Sequence, residues 1–253
     1  MKKSVKKEKL DLDLVPYLVD TGMGQYCLQH QFIWTMIPGS PFVKSESNQQ
    51  LNECYRNIEK DYLKYLEQKD WENGFSLISL PIRTHWFIDN FQQIYDEIGE
   101  DRYYTLLGEV LVNVEYHNYT KVFYSHLLYI GKNPLKMMNK TERKLYDKLP
   151  DRFMIYRGIS SKKKITSRNF KKFVGNSWTV DKERSIWFST QWILGINEYP
   201  VVLSTEVSKN QVLSYFTRRE EEEIFIDFEK LDYSKIEIEE LKPTSGFLSI
   251  SPG

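Results

Sequence analysis

Apolar residues recur at three- and four-residue spacing from residue 51 onward: Leu51, Cys54, Tyr55, Ile58, Tyr62 and Tyr65 fall on one stripe. That is the period of an amphipathic helix with one buried face. Phe87, Phe91, Ile94, Tyr95 and Ile98 repeat the pattern, and Tyr119, Val122, Phe123, His126, Leu127 and Ile130 predict a third helix, with His126 read as a core residue. Asn139 and Glu142 have the spacing of a capping box, which predicts a short helix ending near Pro150. Ahead of these stripes, in 15–47, glycines and prolines break Tyr26, Phe32, Ile33 and Trp34 into short apolar groups, read as a packed arm or a lid. The first 150 residues are therefore expected to be mainly helical.

Beyond Pro150 the period changes to that of strands. Segments 154–158 and 175–181 read as short strands, and the strands beyond Pro150 are separated by a short helix at 181–190 and by turns near Glu198 and Lys209. Trp178 is expected in the core, since large aromatic side chains dominate buried area. Ile224, Phe225 and Ile226 form an apolar run directly after Glu220, Glu221, Glu222 and Glu223. If the strand extends back through the acids, Glu221 and Glu223 share one face and Glu222 points away. The architecture is α+β, with a helical region at 1–150 packed on a β-sheet region at 151–253.

Composition narrows this picture only modestly. The 253 residues are 41% hydrophobic, enough for a substantial core, and 35 basic residues balance 35 acidic ones. Overall charge thus gives no pull toward nucleic acid or membrane, and such a preference must come from local patches. The lysine-rich residues 1–10 lack the apolar run of a signal peptide, and no stretch has the length of a membrane span, so a cytoplasmic protein without a membrane partner is expected. Cys27 and Cys54 form no metal-type pair, and His30, His85, His117 and His126 have no metal-ligand spacing; no metal is expected.

Three polar motifs stand on the predicted strands: Arg157 with Gly158, Ser177 with Thr179, and Glu221 with Glu223. In this order and spacing they resemble the arginine, Ser-Thr-Ser and Glu-x-Glu signature of the cholera-toxin-like mono-ADP-ribosyltransferases. Trp178 and Thr179 depart from the commonest middle and last residues of the serine motif. The resemblance covers roughly the last hundred residues, a length that one small domain can occupy. It implies a mixed β-sheet ADP-ribosyltransferase core and NAD as co-substrate, without a metal.

The resemblance also implies roles. Glu223 would hydrogen-bond the ribose and stabilise the positive charge that develops on the sugar as nicotinamide leaves. Arg157 would hold NAD oxygens through its planar fork of donors, with Gly158 allowing close backbone approach. Ser177 would orient the catalytic acid, with Thr179 beside it in the cofactor site. Glu221 would orient or deprotonate an acceptor, which in this family points to protein arginine.

Tyr215, Phe216, Arg218 and Arg219 occupy the place of the family's target-recognition loop, where aromatic and basic side chains together suit a nucleic-acid base. A second basic run, Lys162, Lys163, Lys164, Arg168, Lys171 and Lys172, lies between Arg157 and Ser177. The acceptor therefore reads as protein arginine or an RNA base, with NAD hydrolysis and a silent binding module as alternatives. A toxin, phage effector or toxin–antitoxin role is implied by analogy, and with it an inhibitory partner such as an antitoxin.

Overall fold

The computed structural model describes residues 7–112, 126–190, 199–218 and 221–242. The chain forms two compact units, 1–132 and 133–253. The division falls before the boundary expected at residue 150, because the helix at 140–148 is tied to the second unit through Glu142.

The first unit is not helical throughout. Its opening segment, expected as an arm or lid, contains a three-stranded antiparallel sheet: β1 (Leu18–Asp20), β2 (Tyr26–Gln29) and β3 (Trp34–Ile37). Helix α1 (Glu46–Glu67) follows, capped by the Ser45 side chain, which accepts from Asn48 N. Its fully buried positions are Asn48, Asn52 and Tyr55, while Cys54 is exposed. The buried amide nitrogens are satisfied: Asn48 Nδ2 donates to the Val43 carbonyl at 2.8 Å, and Asn52 Nδ2 to the Lys9 carbonyl at 2.8 Å. These bonds tie the preceding chain to the helix, and so polar residues occupy a stripe that apolar periodicity assigns elsewhere.

Helix α2 (Trp71–Ser76) and the helical run α3 (Leu80–Val112) complete the main helices described in this unit. The run α3 is broken at Gly99, whose φ of 77° is a left-handed value that glycine adopts without steric cost. Phe87 and Ile94 are buried, as their stripe predicts. Tyr119, Val122 and Phe123 lie outside the described residues. His126 is exposed rather than in the core, while Leu127 and Leu128 beside it are buried. Among the described residues, no helix is long and apolar enough to cross a membrane.

The second unit contains helix α4 (Lys140–Lys148), which begins with the predicted capping box: Asn139 accepts from Glu142 N, and Glu142 accepts from Asn139 N. Its six-stranded sheet comprises β4 (Arg152–Ile159), β5 (Ser177–Thr179), β6 (Val201–Ser208), β7 (Val212–Phe216), β8 (Glu223–Ile226) and β9 (Glu237–Glu240), in the order β7-β8-β5-β4-β6-β9. The described pairings are all antiparallel, so the sheet is not mixed as expected. Ile155, Trp178, Leu203, Ile224 and Ile226 belong to its apolar core. Burial of each such side chain stabilises the fold by about 1.5–3 kcal/mol.

Helix α5 (Lys182–Thr190) packs on this sheet, starting at Asp181, whose carboxylate accepts from Glu183 N and Arg184 N. The closest approach is at Gly158. A Cβ there would stand 1.8 Å from the Ser185 carbonyl oxygen and 2.9 Å from Ser189 N. Ser185 and Ser189 are themselves fully buried, and their hydroxyls bond back to the helix carbonyls of Lys182 and Ile186. Small side chains on both elements therefore let the helix backbone rest on β4.

Candidate active site

Short β5 is the centre of the site, because its neighbours are β4, which carries Arg157, and β8, which carries Glu223. Tyr156 pairs with Thr179, Thr179 with Glu223, and Glu223 with Phe216, giving one row across four strands. Ser177 pairs with Phe225, which places it diagonally from Glu223, about 7–8 Å between Cα atoms in an antiparallel ladder. Three motifs separated along the chain thus converge on adjacent strands.

Tyr156 and not Arg157 holds the register position beside Thr179, so by strand alternation the Arg157 side chain leaves the sheet face opposite to that of Ser177 and Glu223 and meets β5 at its backbone. Its Nη1 donates to the Ser177 carbonyl, and its Nε to the Phe173 carbonyl at 3.1 Å. Gly175 lies against the guanidinium: a Cβ there would stand 3.2 Å from Nη2. The planar group is therefore oriented by main-chain acceptors at the edge of β5.

Thr179 is buried and its hydroxyl is engaged on both sides, accepting from Asp181 N at 3.0 Å and donating to the Glu221 carbonyl at 3.1 Å. It clasps the acidic turn to the start of α5, a holding role in place of the ligand contact expected. Gly158, expected to approach NAD, has its Cβ direction filled by α5. Its absent side chain serves helix packing.

The acidic run does not continue the strand. Glu222 has φ 46°, a left-handed value that side-chain-bearing residues seldom adopt, so the chain turns between Glu221 and Glu223. The alternation expected to place both carboxylates on one strand face is lost at that turn. Glu223 begins β8 and is half-buried, while Glu221 Oε1 lies 3.4 Å from Arg184 Nη2. Arg184 stacks over the Trp187 and Phe188 rings at 4.7 and 5.3 Å. Nothing in the sequence singled out Arg184, which lies 37 positions from the acid it meets.

The expected target-recognition loop is corrected more strongly. Tyr215 and Phe216 lie in β7 and are 4% and 2% exposed, so they pack the fold and present no surface to an acceptor. Burial pushes the Tyr215 hydroxyl up to about 12, helped by the charge and hydrogen bond of Glu222. Arg218 donates to Glu142 and to the Met137 carbonyl, which makes it a structural cation. Arg219 lies outside the described residues. Among the described residues, no group of three or more His, Cys, Asp or Glu side chains could hold a metal ion.

The fold is that of an α+β protein with an antiparallel sheet carrying a polar centre on its middle strands. Compared with protein-family models, curated proteins and solved structures, the chain finds no match. A functional reading therefore rests on its own residues.

Proposed function

We propose that the second unit is an NAD-dependent mono-ADP-ribosyltransferase acting on a macromolecule, with release of nicotinamide. The observation that carries this reading is the strand order: β5, bearing Ser177, lies between β4, bearing Arg157, and β8, bearing Glu223. This is the set of side chains that the motif resemblance implicates, on three adjacent strands.

NAD supplies a ribose carbon bonded to a cationic leaving group, so departure of nicotinamide needs little proton donation and leaves positive charge on the sugar. The Glu223 carboxylate stabilises that charge and accepts a hydrogen bond from a ribose hydroxyl. The bond to nicotinamide breaks with its electron pair going to nitrogen. A lone pair on the acceptor forms the new bond, and the acceptor's proton passes to a base. Arg157, its guanidinium plane already set by two carbonyls, holds phosphate or ribose oxygens by charge-assisted hydrogen bonds. Thr179 keeps the acidic turn against β5.

The test is nicotinamide release and acceptor labelling from adenylate-labelled NAD in a cell extract, for the protein and its Glu223→Gln variant. Loss of a fixed electrostatic partner of the transition state should lower the rate on the order of 10²–10³-fold. Nicotinamide release without a labelled acceptor would mark an NAD glycohydrolase. Equal turnover by the variant removes Glu223 from the chemistry, and no NAD loss with either protein leaves a binding module.

A further inference from the structure

Between Asp151 and Asp181 the chain contains no acidic residue, although the protein as a whole balances 35 basic with 35 acidic side chains. The cations of this stretch concentrate in the β4–β5 connection, where Lys162, Lys163, Lys164, Arg168, Lys171 and Lys172 are all exposed. This connection is a built surface. Ile165 and Phe170 are buried and anchor it in the core. Between them Thr166 N donates to Asn169 Oδ1 at 2.8 Å, and Asn169 Nδ2 to the Lys164 carbonyl at 3.0 Å.

Three of the cations have neighbours: Lys164 pairs with Glu240 at 3.0 Å, Lys171 lies over the Tyr233 ring, and Lys172 over that of Phe173. Lys162, Lys163 and Arg168 form no ion pair among the described residues. Next to Lys162, the main chain of Tyr199 donates to the Ser161 carbonyl at 3.2 Å, and the Tyr199 side chain is 40% exposed. At the other end of the connection, the Phe173 carbonyl receives Arg157 Nε. Backbone thus links the basic surface directly to the arginine of the candidate site.

Exposed cations on an anchored connection, near an exposed aromatic ring, match a polyanion with accessible planar bases, which is single-stranded nucleic acid. A protein arginine fits less well. It would meet like charge on this surface, and Glu221, the acid expected to receive it, already faces the Arg184 guanidinium at 3.4 Å. We propose that the β4–β5 connection together with Tyr199 docks a single-stranded nucleic acid, which is the acceptor if the transferase reading above holds.

The binding arm of the test needs no catalysis. Anisotropy of a short fluorescein-labelled single-stranded RNA and of its DNA counterpart is titrated with wild type, with Lys162→Glu/Lys163→Glu/Arg168→Glu, and with Tyr199→Ala, over a salt series. Loss of three phosphate contacts should lower the slope of log affinity against log salt by about 2. Loss of one stacking ring should weaken binding roughly five-fold or more with the slope unchanged. Preference for one oligonucleotide identifies the kind of nucleic acid. Circular dichroism checks that both variants remain folded.

Equal binding by wild type and the triple variant, or no binding by wild type at low salt, overturns the docking surface. The second arm follows label from NAD with wild type alone. Nuclease-sensitive label supports nucleic acid as the acceptor, and label removed only by protease overturns it. Absence of nicotinamide release sinks the transferase reading, and the docking surface then stands or falls on the oligonucleotide arm.

Discussion

Arg218 grips Glu142 with two hydrogen bonds, Nε to Oε1 at 3.1 Å and Nη2 to Oε2 at 3.0 Å, and the Glu142 side chain is 0% exposed. The same carboxylate accepts from Thr217 N at 3.1 Å and Asn139 N at 2.8 Å. One acid thereby caps α4 and holds the segment that follows β7. A buried charge is tolerated only when it is paired and hydrogen-bonded, and four donors meet that condition here.

Glu142→Ala should therefore destabilise the second unit by about 3–5 kcal/mol, since it removes the buried carboxylate that two Arg218 hydrogen bonds and two backbone amides converge on. Arg218→Ala should cost about as much, because it leaves that carboxylate without its cation. Denaturant unfolding measures both. A loss below about 1 kcal/mol would give the pair the weight of an exposed ion pair.

Gly158→Ala tests the contact between α5 and β4. The added methyl has to displace the Ser185 carbonyl, which is backbone and cannot swing aside. Overpacking of this kind costs about 1–3 kcal/mol or more, and a lower melting temperature is expected. A variant as stable as wild type would show that the helix does not rest at Gly158.

Arg157→Lys retains the charge but loses the fork that spans the Phe173 and Ser177 carbonyls. The KM for NAD should rise on the order of ten-fold or more, the worth of one hydrogen bond to a charged group. An unchanged KM would confine Arg157 to bracing the 173–177 backbone.

Acid should weaken the first unit through His30. This residue is buried among the rings of Tyr17, Phe32 and Tyr55, and its Nδ1 accepts from Phe32 N at 3.2 Å. Burial holds the imidazole below its ordinary value of 6.5, an effect partly opposed by the Glu59 charge. Between the lowered value and 6.5 the unfolded chain binds more protons than the folded one, so stability rises with pH across that window. It is present above 6.5 and is lost as pH falls through the folded-state value. Melting curves on both sides of the window should show the loss for wild type, and a flatter response for His30→Gln.

Local patterns reported local geometry well. The capping box at Asn139 and Glu142, the strands around Ile155, Leu203 and Ile224, and burial of Trp178 could all be read from spacing and residue type. The short strands β1 to β3 could not, because three or four residues carry too little alternation to separate a strand from a loop. Edge strand β9 was missed for a related reason: Glu237, Glu239 and Glu240 make it polar, which suits an edge facing water but removes the hydrophobic signal.

The candidate site divides in the same way. Residue types and order in the sequence determined that an arginine, a serine and an acid were available in the second half of the chain, together with the basic run near Lys162. Tertiary structure decided which of them come together and which hold the fold. Antiparallel pairing brought Ser177 and Glu223 onto adjacent strands, and burial turned Tyr215 and Phe216 inward. A left-handed turn at Glu222 separated two acids that alternation would have aligned, and Arg218 found its partner 76 positions away. Periodicity records the geometry of neighbouring residues. The pairing of distant strands and the neutralisation of a buried charge depend on side chains that meet only when the chain has folded.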